Sequence, residues 1–328
     1  MKMRRLGNTD IYLSELAFGG ASIGNLYTPC SNFCAQEAVE TSWDLGIRYF
    51  DTAPEYGHGL SERRLGDALR QKNRDEYILS TKVGDFLYAH HRVAPKPNKF
   101  IDKLPFHLRY DYSYDGVMRG FEDSLQRLGL DKIDILLVHD LDPVIHQPNI
   151  FQQYFKTYIE SGYKALEKLR SEGVIRALGL GVKKTDVCVE AAKHGDYDCF
   201  MLQGNYTLLE QHLSDEFLTM CAERHISILI AGPYASGILA TGPVPGAYFH
   251  HREANAEIMR KVTEIQAICA SFQIPLQAAA IQFPLTHPQV ASVVVGAASA
   301  ELMRSNVNFF EMKIPSALWD ALAEKMVA

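Results

Sequence analysis

A (β/α)8 barrel is the fold class this chain predicts, and three observations predict it. Eight short apolar runs rich in β-branched residues recur along the 328 residues. Amphipathic stretches with apolar residues at helical spacing fall between them. The runs are apolar almost throughout rather than alternating, as in parallel strands buried on both faces. An open doubly wound sheet is the runner-up, but no Gly-x-Gly-x-x-Gly follows the first run. A single barrel domain over residues 1–328 is therefore expected.

The chain opens on Arg4-Arg5-Leu6 and Ile11-Tyr12-Leu13 around the turn formers Gly7-Asn8-Thr9-Asp10, which predicts an N-terminal hairpin. Strands are expected at 16–19, 47–50, 77–80, 133–138, 175–180, 199–202, 226–230 and 290–295. Helices are expected at 35–45, behind Ser31 and Asn32, and at 61–71, with Ser61 as a possible cap. Others follow at 114–128, 162–172, 217–224, 255–272 and 300–309, with an extra helix at 276–283 and a tail helix at 314–327. Two connections exceed ordinary length. The loop at 83–115, after the third strand, is rich in aromatics and histidine. The loop at 234–253, after the seventh, carries Tyr248, Phe249, His250 and His251. Long aromatic loops in a compact domain read as substrate walls.

Composition narrows the partners. A net charge of −6 argues against nucleic acid or anionic membrane as the main partner. No apolar run reaches the length of a membrane helix, and Met1-Lys2-Met3-Arg4-Arg5 leads into no apolar leader segment, so neither a span nor a secretory signal is expected. Six scattered cysteines suit a reduced, cytoplasmic setting; Cys30 and Cys34 lack a second pair of ligand spacing, so no metal is expected.

Four polar residues stand at or just past strand ends. Asp51 ends the second strand, Tyr56 lies in the loop after it, Lys82 follows the third, and His139 follows the fourth. Barrel strand ends share one rim, so these residues can converge. A free tyrosine ionises near pH 10, too high for a good base, and a neighbouring ammonium lowers that value. Asp51 would then hold Lys82 charged and aimed, His139 would orient a reacting oxygen, and Tyr56 would carry the proton. Taken singly, Asp51 and Lys82 read equally well as a structural ion pair, His139 as a core histidine and Tyr56 as packing on Pro54. The coincidence of all four favours chemistry.

The chain resembles an aldo-keto reductase over essentially its whole length. The resemblance is carried by Asp51-Thr52-Ala53-Pro54-Glu55-Tyr56-Gly57 with Ser61-Glu62, by Ser80-Thr81-Lys82, by Asp134-Ile135-Leu136-Leu137-Val138-His139, by Gln203 with Tyr206, and by the segments 233–239 and 296–306. It implies a nicotinamide cofactor, with Tyr56, Lys82, Asp51 and His139 in the roles above. Gln203 matches a carboxamide-binding position. Ser236, Gly237, Leu239, Gly296, Ala298 and Ser299 match phosphate-gripping loops, and Glu301 and Asn306 match adenine-side positions. Gly181-Val182 and Ala231 depart from the usual Ser-Asn pair and stacking tyrosine. At Ala298, NADP-preferring members often carry a cation, so the resemblance implies NAD over NADP, with Arg304 as a possible rescuer of phosphate binding.

Within the family, the segments 110–115, 206–211 and 236–242 resemble the aldose 1-dehydrogenase branch (L-fucose, D-threo-aldose, L-galactose), with pyridoxal 4-dehydrogenase as a relative. Oxidation of a cyclic hemiacetal to a lactone is the expected reaction. Oxidation of pyridoxal to 4-pyridoxolactone, NADPH-dependent aldehyde reduction and a cofactor-sensing regulatory subunit are the alternatives. Tyr88, His90 and Tyr248 are the candidate substrate contacts, with Phe86, His91, His107 and His250 beside them. A metal-dependent barrel hydrolase would need His-x-His at an early strand end, where Gly19-Gly20 stands.

Overall fold

The computed structural model describes residues 1–327. Eight parallel strands close into a barrel. They are β1 (Leu16–Gly19), β2 (Tyr49–Asp51), β3 (Ile78–Val83), β4 (Ile135–His139), β5 (Ala177–Val182), β6 (Cys199–Gln203), β7 (Ser227–Ala231) and β8 (Val290–Gly296). Each pairs with its neighbours in sequence, and β8 returns to β1 with Val293 opposite Leu16 and Gly296 opposite Gly19. The fold is the expected one, and every expected strand run overlaps an observed strand.

Because successive strand side chains face opposite ways, each strand feeds two cores. Leu16, Phe18, Leu136 and Val138 point outward into the main core beneath the helices. Ala17, Tyr49, Ile135, Leu137, Met201 and Leu229 point inward and form a separate cluster. The N-terminal hairpin, Met3–Arg5 against Tyr12–Ser14, adds Leu6, Ile11 and Leu13 to that inner cluster. It thereby closes one end of the barrel with apolar surface, each fully buried side chain contributing about 1.5–3 kcal/mol.

The inward phase also explains two glycines. A Cβ on Gly179 would lie 2.1 Å from the Cys199 carbonyl oxygen, so only glycine lets β5 and β6 approach. A Cβ on Gly181 would meet the Lys82 Cε at an ordinary 3.5 Å, so that position has room.

Several local expectations are corrected. The helix after β2 runs Leu60–Leu69 with Gly59 as its cap. Ser61 does not cap it; its Oγ donates to the Gly20 carbonyl at 2.7 Å and meets Thr52 Oγ1 at 2.8 Å. Glu62, one residue on, is buried and accepts from Thr81 Oγ1 (2.9 Å) and Arg127 Nε (2.5 Å), tying this helix to β3 and to helix Tyr114–Leu128. The helix expected at 162–172 begins earlier, as Pro148–Thr157, and passes through a π-turn at Tyr158–Gly162. A helix at Thr185–Ala192 was not expected at all. Both long loops contain hairpins, Asp85–Ala89 with Phe106–Tyr110, and Tyr248–Phe249 with Arg252–Glu253. No single helix among the described residues is long and apolar enough to cross a membrane.

Gly179→Ala is expected to destabilise the protein by about 2–4 kcal/mol in a urea melt, since backbone must move. Gly181→Ala should cost less than about 1 kcal/mol. Equal costs would contradict the close-approach account.

Candidate active site

The pleat that packs the barrel interior also aims the chemistry. Asp51 lies two residues beyond the inward Tyr49, Lys82 two beyond Ser80, and His139 two beyond Leu137. All three therefore point inward at the carboxyl rim, where active sites of such barrels form. Lys82 is buried and donates to both Asp51 carboxylate oxygens (2.9 and 2.7 Å) and to the Thr52 carbonyl (2.8 Å). Its three N–H bonds are thus matched by three acceptors. Ser80 Oγ donates to Asp51 Oδ1 at 2.6 Å. That leaves Tyr49 as donor to Ser80 Oγ, at 2.9 Å.

Tyr56 is held by the turn after β2. Its N–H donates to the Ala53 carbonyl, and the Gly57 backbone packs so closely on Gly24 that a Cβ at Gly57 would lie 2.5 Å from the Gly24 oxygen. Its ring stands edge-on to His139 at 5.8 Å between centroids and beside Phe100 at 5.7 Å. Lys82 Nζ is 5.0 Å from the ring centroid. The lowering of the phenol pKa expected from Lys82 is outweighed here. Burial raises the Tyr56 pKa well above its usual value, and Asp51, Glu55, Asp140 and Asp85 raise it further. The lysine's charge is engaged by Asp51, and four carboxylates surround the ring. Tyr56 is therefore a phenol at neutral pH.

His139 Nδ1 bonds Asp85 Oδ2 at 3.2 Å. A carboxylate only accepts, so Nδ1 carries a proton. A hydrogen on Nε2 as well then requires the imidazolium. Burial opposes that charge, but Asp140 and Asp85 outweigh burial and raise the His139 pKa. The cation that can donate to a substrate oxygen is thereby favoured. Asp85 lies three residues past Lys82, and sequence reasoning missed it; an acid just beyond a catalytic strand end was the only available signal.

A cavity of about 390 Å³ runs from Tyr56, Lys82 and His139 to the ends of β7 and β8. Of the residues expected to hold cofactor, Gln203, Ser236, Gly237, Gly296 and Asn306 line it. Asn306 Oδ1 accepts from Tyr234 Oη at 3.0 Å. Leu239 is fully buried in a satellite core, and its N–H donates to the Tyr234 carbonyl, so it offers the cavity nothing. Ser299 caps helix Ala300–Glu311 through the Leu302 N–H, Ala298 accepts from Cys30 Sγ, and Glu301 is exposed in the first turn.

The expected substrate residues are not in the cavity. Tyr88 and His90 are exposed on the first loop hairpin, and Tyr248 is exposed and stacks on Tyr27. Tyr27, Glu55, Lys99, Phe100, Asp140, Lys183 and His251 line it instead. His251 rather than His250 enters: its rings bridge Tyr27 Oη and Gln203 Nε2 across the mouth, the latter at 3.1 Å. The hairpin tip achieves this with both His250 and His251 at positive φ, 48° and 61°, where Asn-Gly is usual. Burial, then Lys99 and Lys183, lower the His251 pKa to about 4, so it is neutral at pH 7.

A phenol beside a buried lysine–aspartate pair and a charge-supported histidine, at the carboxyl rim of a parallel barrel, is equipment for moving a proton on and off a substrate oxygen. The comparisons give that class its family. The Aldo/keto reductase family model matches residues 15–326, and the chain belongs to that family. It is 40% identical over 328 residues to the pyridoxal 4-dehydrogenase of Microbacterium luteolum (97% of this chain, 96% of the relative). It is 39% identical over 319 residues to the D-threo-aldose 1-dehydrogenase of a Pseudomonas species (95% and 94%). The holo structure of aldo-keto reductase AKR11C1 from Bacillus halodurans matches with a TM-score of 0.76 at 28% identity, covering 99% of this chain and 96% of that one.

Aldo-keto reductases use nicotinamide cofactors, and the cavity fits one. A Cβ at Gly237, at φ +109°, would meet nothing within 4 Å, so the chain there leaves an open cradle. The side-chain amides of Gln203 and Asn306 supply donors and acceptors along the same wall.

Asp85→Asn removes a charge that raises the His139 pKa, so the imidazolium should be lost at lower pH. The alkaline limb of aldehyde reduction should therefore move to lower pH, with kcat reduced about tenfold or more near neutrality. An unmoved limb would contradict the Asp85 role.

Proposed function

We propose that this oxidoreductase oxidises the hemiacetal carbon of a cyclic aldose to a lactone, with NAD as the preferred cofactor. The observation that carries the reading is the convergence of Tyr56, His139 and the Asp51–Lys82 pair on one cavity. Relatives at 39–40% identity, one named for D-threo-aldoses and one for pyridoxal, support a cyclic hemiacetal as substrate.

When bound, the oxidised nicotinamide supplies the hydride acceptor. The chain's own residues manage the proton. Tyr56 Oη takes the proton of the anomeric hydroxyl as the C–H electron pair leaves the same carbon, and the carbon–oxygen double bond of the lactone forms. The His139 ring orients that oxygen. Asp51 holds Lys82 against the floor, where its charge tempers the phenolate. The cofactor preference rests on Ala298, which presents no cation to a 2′-phosphate, and on Glu301, whose negative charge in the first helical turn opposes one. A cytoplasmic location and a small-molecule partner accord with this reading.

One observation favours a second reading. Tyr56 held as a phenol is the form that gives a proton, as NADPH-dependent aldehyde reduction requires. The two readings separate in assay. With NAD and an aldose, kcat should rise with pH from about 7 to about 9.5, because the base must first ionise. Tyr56→Phe should lose about 10³-fold or more in kcat and keep NAD affinity within about threefold. A flat profile, or an active phenylalanine variant, would remove the Tyr56 assignment. For cofactor choice, kcat/KM should favour NAD by at least about tenfold, and parity with NADP would overturn the preference.

A further inference from the structure

The turn that carries Tyr56 also carries Glu55, for which the proton-transfer scheme has no use. Glu55 is about nine-tenths buried and lines the cavity; its Oε2 is closed to solvent, has Lys99 Nζ 3.5 Å away, and accepts no hydrogen bond among the described residues. A largely buried carboxylate with an ion pair but no hydrogen bond at Oε2 is incompletely satisfied, and a ligand hydroxyl donating to its other oxygen relieves it. The wall continues into Asp140, also about nine-tenths buried, which follows His139 at the end of β4.

Geometry joins these groups to the reacting centre. One carboxylate oxygen of Glu55, one of Asp140 and one ring nitrogen of His139 lie within 4.8 Å of one another. Three points so spaced share a centre no more than about 2.8 Å from each, which is hydrogen-bond length. A single hydroxyl has one proton to give, so it satisfies only one of the two carboxylates. Two hydroxyls on adjacent carbons satisfy both. The flanking Phe100 and Tyr27 rings supply apolar faces of the kind on which a sugar packs.

We propose that Glu55 and Asp140 form a recognition site for a vicinal diol, accepting from the hydroxyl next to the reacting carbon and from its neighbour, with Lys99 Nζ beside Glu55. The assignment rests on the aldose reading above and deepens it. It makes the C2 hydroxyl a specificity determinant, and it makes neutral aldoses better substrates than anionic sugars, which two carboxylates repel.

The test compares an aldose with its 2-deoxy form, for which D-arabinose and 2-deoxy-D-ribose differ at that hydroxyl alone. In the wild-type protein with NAD, kcat/KM should be about 10- to 100-fold lower on the deoxy sugar, the range for hydrogen bonds to charged groups. In whichever of Glu55→Ala and Asp140→Asn removes the acceptor of the C2 hydroxyl the ratio should shrink to below about threefold, with the loss on D-arabinose carried mainly by KM, while the other variant lowers both sugars and keeps the ratio. A variant that is merely misfolded lowers both sugars alike and keeps the ratio, as would a purely structural role. Equal rates on the two sugars in the wild type, or an undiminished ratio in both variants, would overturn the diol site while leaving the aldose reading intact. Turnover of pyridoxal with none of any aldose would overturn both. Activity that requires Mg²⁺ or Zn²⁺ and is lost in EDTA would assign the cluster to a metal and overturn the site.

Discussion

The buried ion pair between Asp51 and Lys82 is the constraint on which the rest of this site depends. Two opposite charges lie at the top of an otherwise apolar barrel interior, bonded to each other and to Thr52 and Ser80. Removing either partner would strand a buried charge, at a cost of about 3–5 kcal/mol. The pair therefore fixes the mutual position of β2 and β3 at the rim. The Tyr56 turn springs from the end of β2, so its place relative to Lys82 is fixed with it. Gly181, bare on the facing strand, leaves room for the lysine stem.

Around that pair the charge balance is negative. Asp85, Glu55 and Asp140 join Asp51 near Tyr56, with Lys99 and the upward-shifted His139 as partial counterweights. Burial works against the Lys99 charge, but Glu55 and Asp140 more than restore it. Such a site favours protonated groups: a phenol at Tyr56 and an imidazolium at His139. Giving a proton is then easy, and taking one depends on pH and on whatever positive charge enters the cavity. The same acidity that makes Tyr56 a reluctant base makes the pocket a good acceptor for hydroxyl donors. One feature of the sequence thus bears on direction, pH response and substrate class together.

Much of this was legible in the residues, because strand pleat and strand order are local properties. The runs ending at Asp51, Lys82 and His139 carry their own inward phase, so their convergence follows from period and topology alone. Helix Tyr114–Leu128 begins and ends at the expected residues, with Ser113 capping and Gly129 left-handed at its end. What was missed depends on tertiary placement. Thr185–Ala192 is short and has no side-chain cap to announce it. Ser61 offered a cap and instead bonds Gly20 across the barrel top. Tyr88, His90 and Tyr248 lie on hairpins whose fold faces them outward, whereas Lys99, Phe100 and His251 from the same two loops face in. No spacing rule separates His250 from His251; the direction of the turn does.

The most direct measurement of the central claim follows both electrons and carbon in one reaction. Purified protein is mixed with NAD and [1-¹³C]-labelled aldose, NADH is read by absorbance, and the labelled carbon by NMR. One NADH per sugar oxidised, with the label appearing first as a lactone carbonyl, is the result this account predicts. NADH formation without a lactone carbon, or turnover seen only as NADPH-dependent reduction of added aldehydes, would contradict it.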